Sequence, residues 1–197
     1  MGKLRTIYLA ILNKKKRIVE KEEIIGLIEK YKREIKNVNI KNALWYLSRR
    51  NYIKRIFLDY YYINSIEERE AGICKYEDKE LLFLVLNKLD IKWYVGLNYA
   101  LYFSGESWQL PNTLSIINNK FSGLKRILSI NVRFYKIKEK LIFGLKEAKT
   151  NNNIKYKYSL PSKTYIDMVY LRISKKLNKY KKTNNYLRSY PKWVGKR

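Results

Sequence analysis

The chain has 197 residues and contains no histidine, one cysteine, three prolines and a single glutamine. Without histidine there is no Ser–His or Cys–His catalysis, no imidazole metal ligand and no ordinary general base near neutral pH. With Cys74 alone, an intrachain disulfide and a cysteine-rich zinc site are both excluded. Long apolar runs are also missing. The longest, Leu81–Leu86, falls far short of the ~20 residues that a membrane-spanning helix requires. The opening Met1-Gly2-Lys3-Leu4-Arg5 lacks the uninterrupted apolar core of a signal peptide. The expected location is therefore the cytoplasm, with no cofactor or metal.

Acids are scarce as well: 17 Asp and Glu stand against 43 Lys and Arg, a formal net charge of +26. That imbalance favours a polyanionic partner, nucleic acid first and an anionic membrane surface second. The excess is uneven. Residues 1–70 hold 17 bases and 9 acids, residues 71–120 hold 5 of each, and residues 121–197 hold 21 bases and 3 acids. Two basic ends flank a neutral middle, which suggests two contact surfaces.

The most informative stretch is Asn37–Ile63, NVNIKNALWYLSRRNYIKRIFLDYYYI. Ile40, Ala43, Leu44 and Leu47 fall at i, i+3, i+4 and i+7, one apolar stripe at helical period. Asn37 or Asn39 is suited to cap the start, since its side chain accepts a hydrogen bond from a first-turn N–H. The opposite face carries Asn42, Trp45 and Arg49, flanked by Lys41 and Tyr46, with Arg50 following. Asn pairs well with an adenine edge, and Arg with guanine or a phosphate. The period then changes. Ile53–Phe57 and Tyr60–Ile63 are rich in β-branched and aromatic residues, and Leu58-Asp59 is the right length for a two-residue hairpin. Lys54 and Arg55 put positive charge on that hairpin.

Two further helices precede this stretch. One is marked by Leu4, Ile7, Tyr8, Ile11 and Leu12. The other opens near Glu20, Glu22 and Glu23 and buries Ile24, Ile25, Leu27, Ile28 and Tyr31. Gly26 inside it suggests a close helix approach. Three short helices and a basic hairpin predict a winged helix-turn-helix DNA-binding domain over residues 1–66. Its reader is the third helix, through Asn39, Lys41, Asn42, Trp45, Tyr46, Arg49 and Arg50, with Lys54 and Arg55 on the wing. A small helical domain without a DNA role is the plainer alternative.

The charged stretch Ile66–Lys75 reads as a linker. A second domain, residues 75–197, is expected to be mixed α/β, which makes the whole chain α+β. Helices are expected at Asp78–Leu89, within Trp93–Gly105, where Gly105 acts as a stop, and from Pro161 to about Ser174. Strands are expected at Thr113–Ile117, Arg126–Ile130, Val132–Lys138, Leu141–Leu145 and Ile154–Tyr158, with a turn at Thr150–Asn153. A basic, Tyr-rich tail follows Lys175.

A DNA-binding regulator without enzymatic activity is the first functional reading. A second is a metal-dependent nuclease: Glu77-Asp78-Lys79, with Asp59 or Asp90, supplies carboxylates of the kind that hold a metal and activate water. Acids at a helix start also occur for dipole reasons alone. A third reading is a protein-binding adaptor that uses the Tyr-rich second domain.

Four stretches together resemble the AbiEi family, the antitoxin and transcriptional-regulator half of abortive-infection toxin–antitoxin pairs. NALWYLSRRNYIKRIFLDYYYI, Asn42–Ile63, is similar to the family's recognition helix and wing. KWYVGLNYALYFSG, Lys92–Gly105, is similar to the opening of its antitoxin domain. YSLPSKTYIDMVY, Tyr158–Tyr170, is similar to a Pro-x-(Lys/Arg)-Thr-x-x-Asp helix start, and YLRSYPKWVGKR, Tyr186–Arg197, to its basic ending. The resemblance implies a repressor that binds repeats in its own promoter as double-stranded DNA. It also implies an antitoxin-like second domain that counteracts a nucleotidyltransferase-like toxin, without requiring stable contact. Lys163, Thr164 and Asp167 are the antitoxin positions it implies. From the residues alone, Thr164 reads as a helix-start hydrogen-bonding group, and Asp167 stands open between that role and a functional one.

Overall fold

The computed structural model describes residues 2–13, 16–32 and 39–177. The alternative cap Asn37, the spacer ahead of the third helix and the Tyr-Pro ending lie outside these residues. The fold is α+β, with seven helices and two sheets among the described residues.

The chain begins with α1 (Gly2–Asn13), β1 (Ile18–Glu20), α2 (Lys21–Lys32) and α3 (Ile40–Arg49). The hairpin β2 (Ile53–Phe57) and β3 (Tyr60–Ile63) follows. β1, β3 and β2 form an antiparallel three-stranded sheet in that order. The expected apolar stripes are the ones buried: Ile7, Tyr8 and Ile11 of α1 meet Ile24 and Ile28 of α2 and Ala43, Leu44 and Leu47 of α3. β1 was not expected. Three residues carry too little periodicity to show a strand, and Glu20, expected near the start of α2, instead pairs with Tyr60. Gly26 is exposed and an added Cβ would meet nothing within 4 Å among the described residues, so it serves no close helix approach there. There a glycine costs the helix about 0.5–1 kcal/mol relative to alanine.

Alternation gives the small sheet two buried faces. Val19, Ile53, Tyr61 and Ile63 face the three helices. Ile18, Ile56, Phe57 and Tyr62 face the other way, into the core of the C-terminal half. A bulge between Arg55 and Phe57 turns Ile56 and Phe57 both toward that second core. Leu58, at φ 52, makes the two-residue turn in the left-handed region that favours glycine.

Ile66–Lys75, expected as a linker, is held in place by a short helix, α4 (Ile66–Ala71). Ser65 and Glu68 form a reciprocal capping box at its start. The Glu68 carboxylate also accepts from Tyr62 Oη at 2.6 Å, Lys75 N at 2.8 Å and Arg17 at 3.3 Å. Burial works against that charge, but these donors hold the Glu68 carboxyl below its ordinary value. A segment pinned at both ends is not a tether.

The C-terminal half comprises α5 (Asp78–Lys88), β4 (Trp93–Val95), α6 (Leu97–Phe103), β5 (Thr113–Asn118), β6 (Gly123–Ile127), β7 (Ile130–Lys136), β8 (Leu145–Lys149), β9 (Lys155–Ser159) and α7 (Pro161–Leu177). Its mixed sheet has the order β6-β7-β5-β4-β9-β8. α5 packs on one face with Leu81, Leu82, Val85 and Leu86. On the other face, Tyr170 and Leu171 of α7 pack with Tyr94, Ile117 and Ile137. Two strand expectations shift. The expected strand Arg126–Ile130 contains the turn itself, because Ile127 pairs with Ile130 and Leu128 takes φ 54. The expected strand Leu141–Leu145 starts only at Leu145, since a 3-10 turn at Glu139–Leu141 and Gly144 at φ 65 come first. Among the described residues no helix is long and apolar enough to cross a membrane.

Candidate nucleic-acid interface

α3 starts where Asn39 Oδ1 accepts from Lys41 N at 3.0 Å, and its end is turned by Asn51 at φ 53. Burying Ala43, Leu44 and Leu47 leaves Lys41, Asn42, Trp45, Tyr46, Arg49 and Arg50 exposed. Trp45 and Tyr46 are 53% and 43% exposed, a large apolar area for a monomer's surface helix to keep in water. The Arg49 guanidinium lies 4.9 Å from the Trp45 ring, and Trp45 and Tyr46 meet edge to face at 5.5 Å. These contacts arrange the side chains without using their donors. No acid occurs between Asn39 and Leu58, so the charged side chains that α3 contributes to this face are all basic. What it offers is amide, guanidinium and flat aromatic groups at helical spacing, a set suited to base edges and phosphates.

The two hairpin cations fare differently. Arg55 is exposed; it donates to Leu58 O at 3.0 Å and lies 3.9 Å from Asp59. Lys54 is turned to the other half of the protein, where its Nζ donates to Asp78 Oδ1 at 2.9 Å. Asp78 Oδ2 accepts from Ser129 N at 2.9 Å and from Ser129 Oγ. Burial alone would raise the Asp78 carboxyl, but Ser129 and Lys54 hold it below its ordinary value. Lys54 is thus a clamp between β2 and the β6–β7 turn.

The acids that suggested a nuclease are separately engaged. Asp78 holds Lys54 and Ser129, Asp59 lies by Arg55, Asp90 lies by Lys120 at 3.9 Å, and Glu77 pairs with Lys79 at 2.7 Å. Among the described residues no group of three or more His, Cys, Asp or Glu is placed to hold a metal.

Lys163, Thr164 and Asp167 come together inside the protein. They are 3%, 0% and 2% exposed, so they present no surface to a partner. Lys163 Nζ donates to Asp167 Oδ1, and Tyr94 Oη donates to Asp167 Oδ2 at 2.8 Å. The Lys163 ammonium lies 4.7 Å from the Phe143 ring and 5.7 Å from the Tyr94 ring. Burial pushes the Asp167 carboxyl up, against the donations of Lys163 and Tyr94. Burial and the Asp167 charge together push the Tyr94 hydroxyl well above its ordinary range. Thr164 Oγ1 and Ser159 Oγ share a hydrogen bond of 2.6 Å. Gly144 makes room: an added Cβ would stand 3.2 Å from Lys163 Cβ, at a φ of 65. The Tyr94–Asp167 hydrogen bond thereby ties β4 to α7.

No family model matches the chain, and no curated protein matches it significantly.

Lys125 and Arg126 are both exposed on β6, an edge strand among the described residues. They belong to an acid-free stretch, Phe121–Lys138, with five basic residues.

Proposed function

We propose that this chain is a DNA-binding transcriptional regulator of the AbiEi type, an autorepressor and antitoxin, in which α1–α3 and the β2–β3 hairpin act as a winged helix-turn-helix. The observation that carries the reading is the outward face of α3, where Asn42, Trp45, Tyr46 and Arg49 stand exposed on a capped helix without acids. The order of elements supports it: three helices, the third amphipathic, then a short antiparallel hairpin. In this mechanism α3 enters the major groove. Asn42 and Arg49 read base edges, while Lys41, Arg50 and Arg55 bind phosphates.

Asn42→Ala and Arg49→Ala should each weaken binding to the chain's own upstream DNA by roughly 1–3 kcal/mol, as a lost base contact does. Arbitrary duplexes should be less affected by Asn42→Ala. Mobility-shift titration measures this, and wild-type affinity in both variants would remove α3 as the reader.

The antitoxin role belongs to the C-terminal half in this proposal, supported by the resemblance of Lys92–Gly105 and Tyr158–Tyr170. Because Lys163, Thr164 and Asp167 are buried, they serve it by shaping α7 rather than by contact. Co-expression of the full chain with a nucleotidyltransferase-like toxin from its own operon should restore growth. Absence of rescue would remove the antitoxin role and leave the regulator standing.

A further inference from the structure

Arg49 and Arg50 are neighbours of the same type at the end of α3, and both are exposed. Their surroundings differ. The Arg49 guanidinium lies over the Trp45 ring, 4.9 Å from its centre, whereas among the described residues no ring lies under Arg50. Trp45 is itself braced, since it meets Tyr46 edge to face at 5.5 Å. The backbone beneath is firm at that end. Leu44 and Leu47 are buried, Arg50 N donates to Tyr46 O at 3.1 Å, and Tyr52 N donates to Leu47 O at 2.9 Å. Helical side chains lean toward the N-terminus, so Arg49 comes back over the residue four positions before it.

A guanidinium is a planar fork of N–H donors, and contact with a ring engages its face rather than those donors. Among the described residues no oxygen accepts from the Arg49 side chain, and α3 carries no acid to draw the cation away. An unrestrained arginine gives up its rotamer freedom when it binds, and one already held over a ring gives up less. A fork that is restrained, with its donors free, suits the paired O6 and N7 acceptors that guanine shows in the major groove. A phosphate asks only for charge within reach, which Arg50 supplies without a ring.

We infer that Trp45 is a positioning residue: it holds the Arg49 fork for bidentate reading of one guanine in the major groove. The inference rests on the regulator reading, and adds to it the base that Arg49 selects and the side chain that sets it. Two other roles compete. Trp45 packing on a deoxyribose would be a DNA contact in its own right. Arg49, in the last turn of α3, also suits the negative end of the helix dipole, which would make it a stability residue.

The test uses the full-length chain and its own upstream DNA, with each guanine in turn replaced by 7-deazaguanine, which lacks only the N7 acceptor. Binding is followed by fluorescence anisotropy. At one guanine the replacement should weaken wild-type binding about 5-fold, and should leave Arg49→Ala unaffected. Trp45→Ala should weaken binding to unmodified DNA roughly 3- to 30-fold and shrink the penalty at that same guanine. Trp45→Phe keeps a ring under the guanidinium and should keep most of both. Trp45→Ala/Arg49→Ala should bind no more weakly than Arg49→Ala alone. Trp45 is 53% exposed, so Trp45→Ala should melt as wild type does. Losses that add in the double variant, or a full guanine penalty in Trp45→Ala, overturn the inference. So does a weakened Arg49→Ala with no guanine N7 that matters to the wild type, which makes Arg49 a phosphate or dipole residue. In each of these cases, binding that still depends on Asn42 keeps the regulator reading. A folded wild-type chain that does not bind its upstream DNA overturns both.

Discussion

Replacing Lys163 with methionine should destabilise the protein by about 3–5 kcal/mol, because it leaves the Asp167 carboxylate buried without its cation. For a chain of this length that is a fall in Tm of roughly 6–20 °C. The geometry sets the size of the effect. Both partners are almost fully buried, and among the described residues Asp167 keeps only the Tyr94 hydroxyl as a side-chain donor after the substitution. The companion experiment replaces the whole network. Lys163→Met/Asp167→Leu/Tyr94→Phe leaves neither a charge nor a hydroxyl without a partner, and such apolar exchanges are often neutral or stabilising by about 1–4 kcal/mol. Its melting temperature should return to wild type or exceed it. A single variant that melts within about 2 °C of wild type would show the ammonium to be solvated rather than buried. The triple variant also addresses function. If it still rescues cells from a toxin, the positions singled out by the family resemblance act by holding α7 on β4. If it is stable and yet inactive, they carry a role of their own.

The second large effect is expected at Phe57. It is 5% exposed at the tip of the hairpin, and its ring packs against both Phe121 and Phe134 of the C-terminal half, which also meet each other. Phe57→Ala should cost about 3–5 kcal/mol, the usual range for a buried phenylalanine removed from a core that cannot fully collapse. Denaturant unfolding followed by tyrosine and tryptophan fluorescence measures it as a lower midpoint with an unchanged slope. The wild-type chain should unfold in one transition, since the small sheet is a wall of both cores. A cost below 1 kcal/mol would mean that the hairpin tip does not pack there in solution. The same packing argues against expecting residues 1–72 to behave well as a fragment. Cut there, Ile18, Ile56, Phe57 and Tyr62 would face water.

What the sequence determined by itself was local. Ile40, Ala43, Leu44 and Leu47 define a buried stripe wherever α3 is placed, so the outward set Asn42, Trp45 and Arg49 follows from helical period alone. The Asn39 cap, the two-residue turn at Leu58-Asp59, the stop at Gly105 and the start at Pro161 are likewise set within a few residues. The tertiary structure decided whatever depends on which surfaces meet. Ile53–Ile63 alternates as any half-buried hairpin would, and only the docking of the C-terminal half buries its second face. Lys54 and Arg55 are neighbours of the same charge. One becomes a clamp because Asp78, 24 residues away, lies within hydrogen-bonding reach, and the other stays in water. Lys163 and Asp167 have the i, i+4 spacing of an ordinary surface pair. Their burial is invisible until Tyr94 and Phe143 close around them, since spacing along a helix says which groups are neighbours and not which side faces the core. For the same reason Lys125 and Arg126 were one basic pair among many. Only the fold separates them: Lys125 lies over the Phe57 ring on the hairpin side of β6, and Arg126 is on its other side.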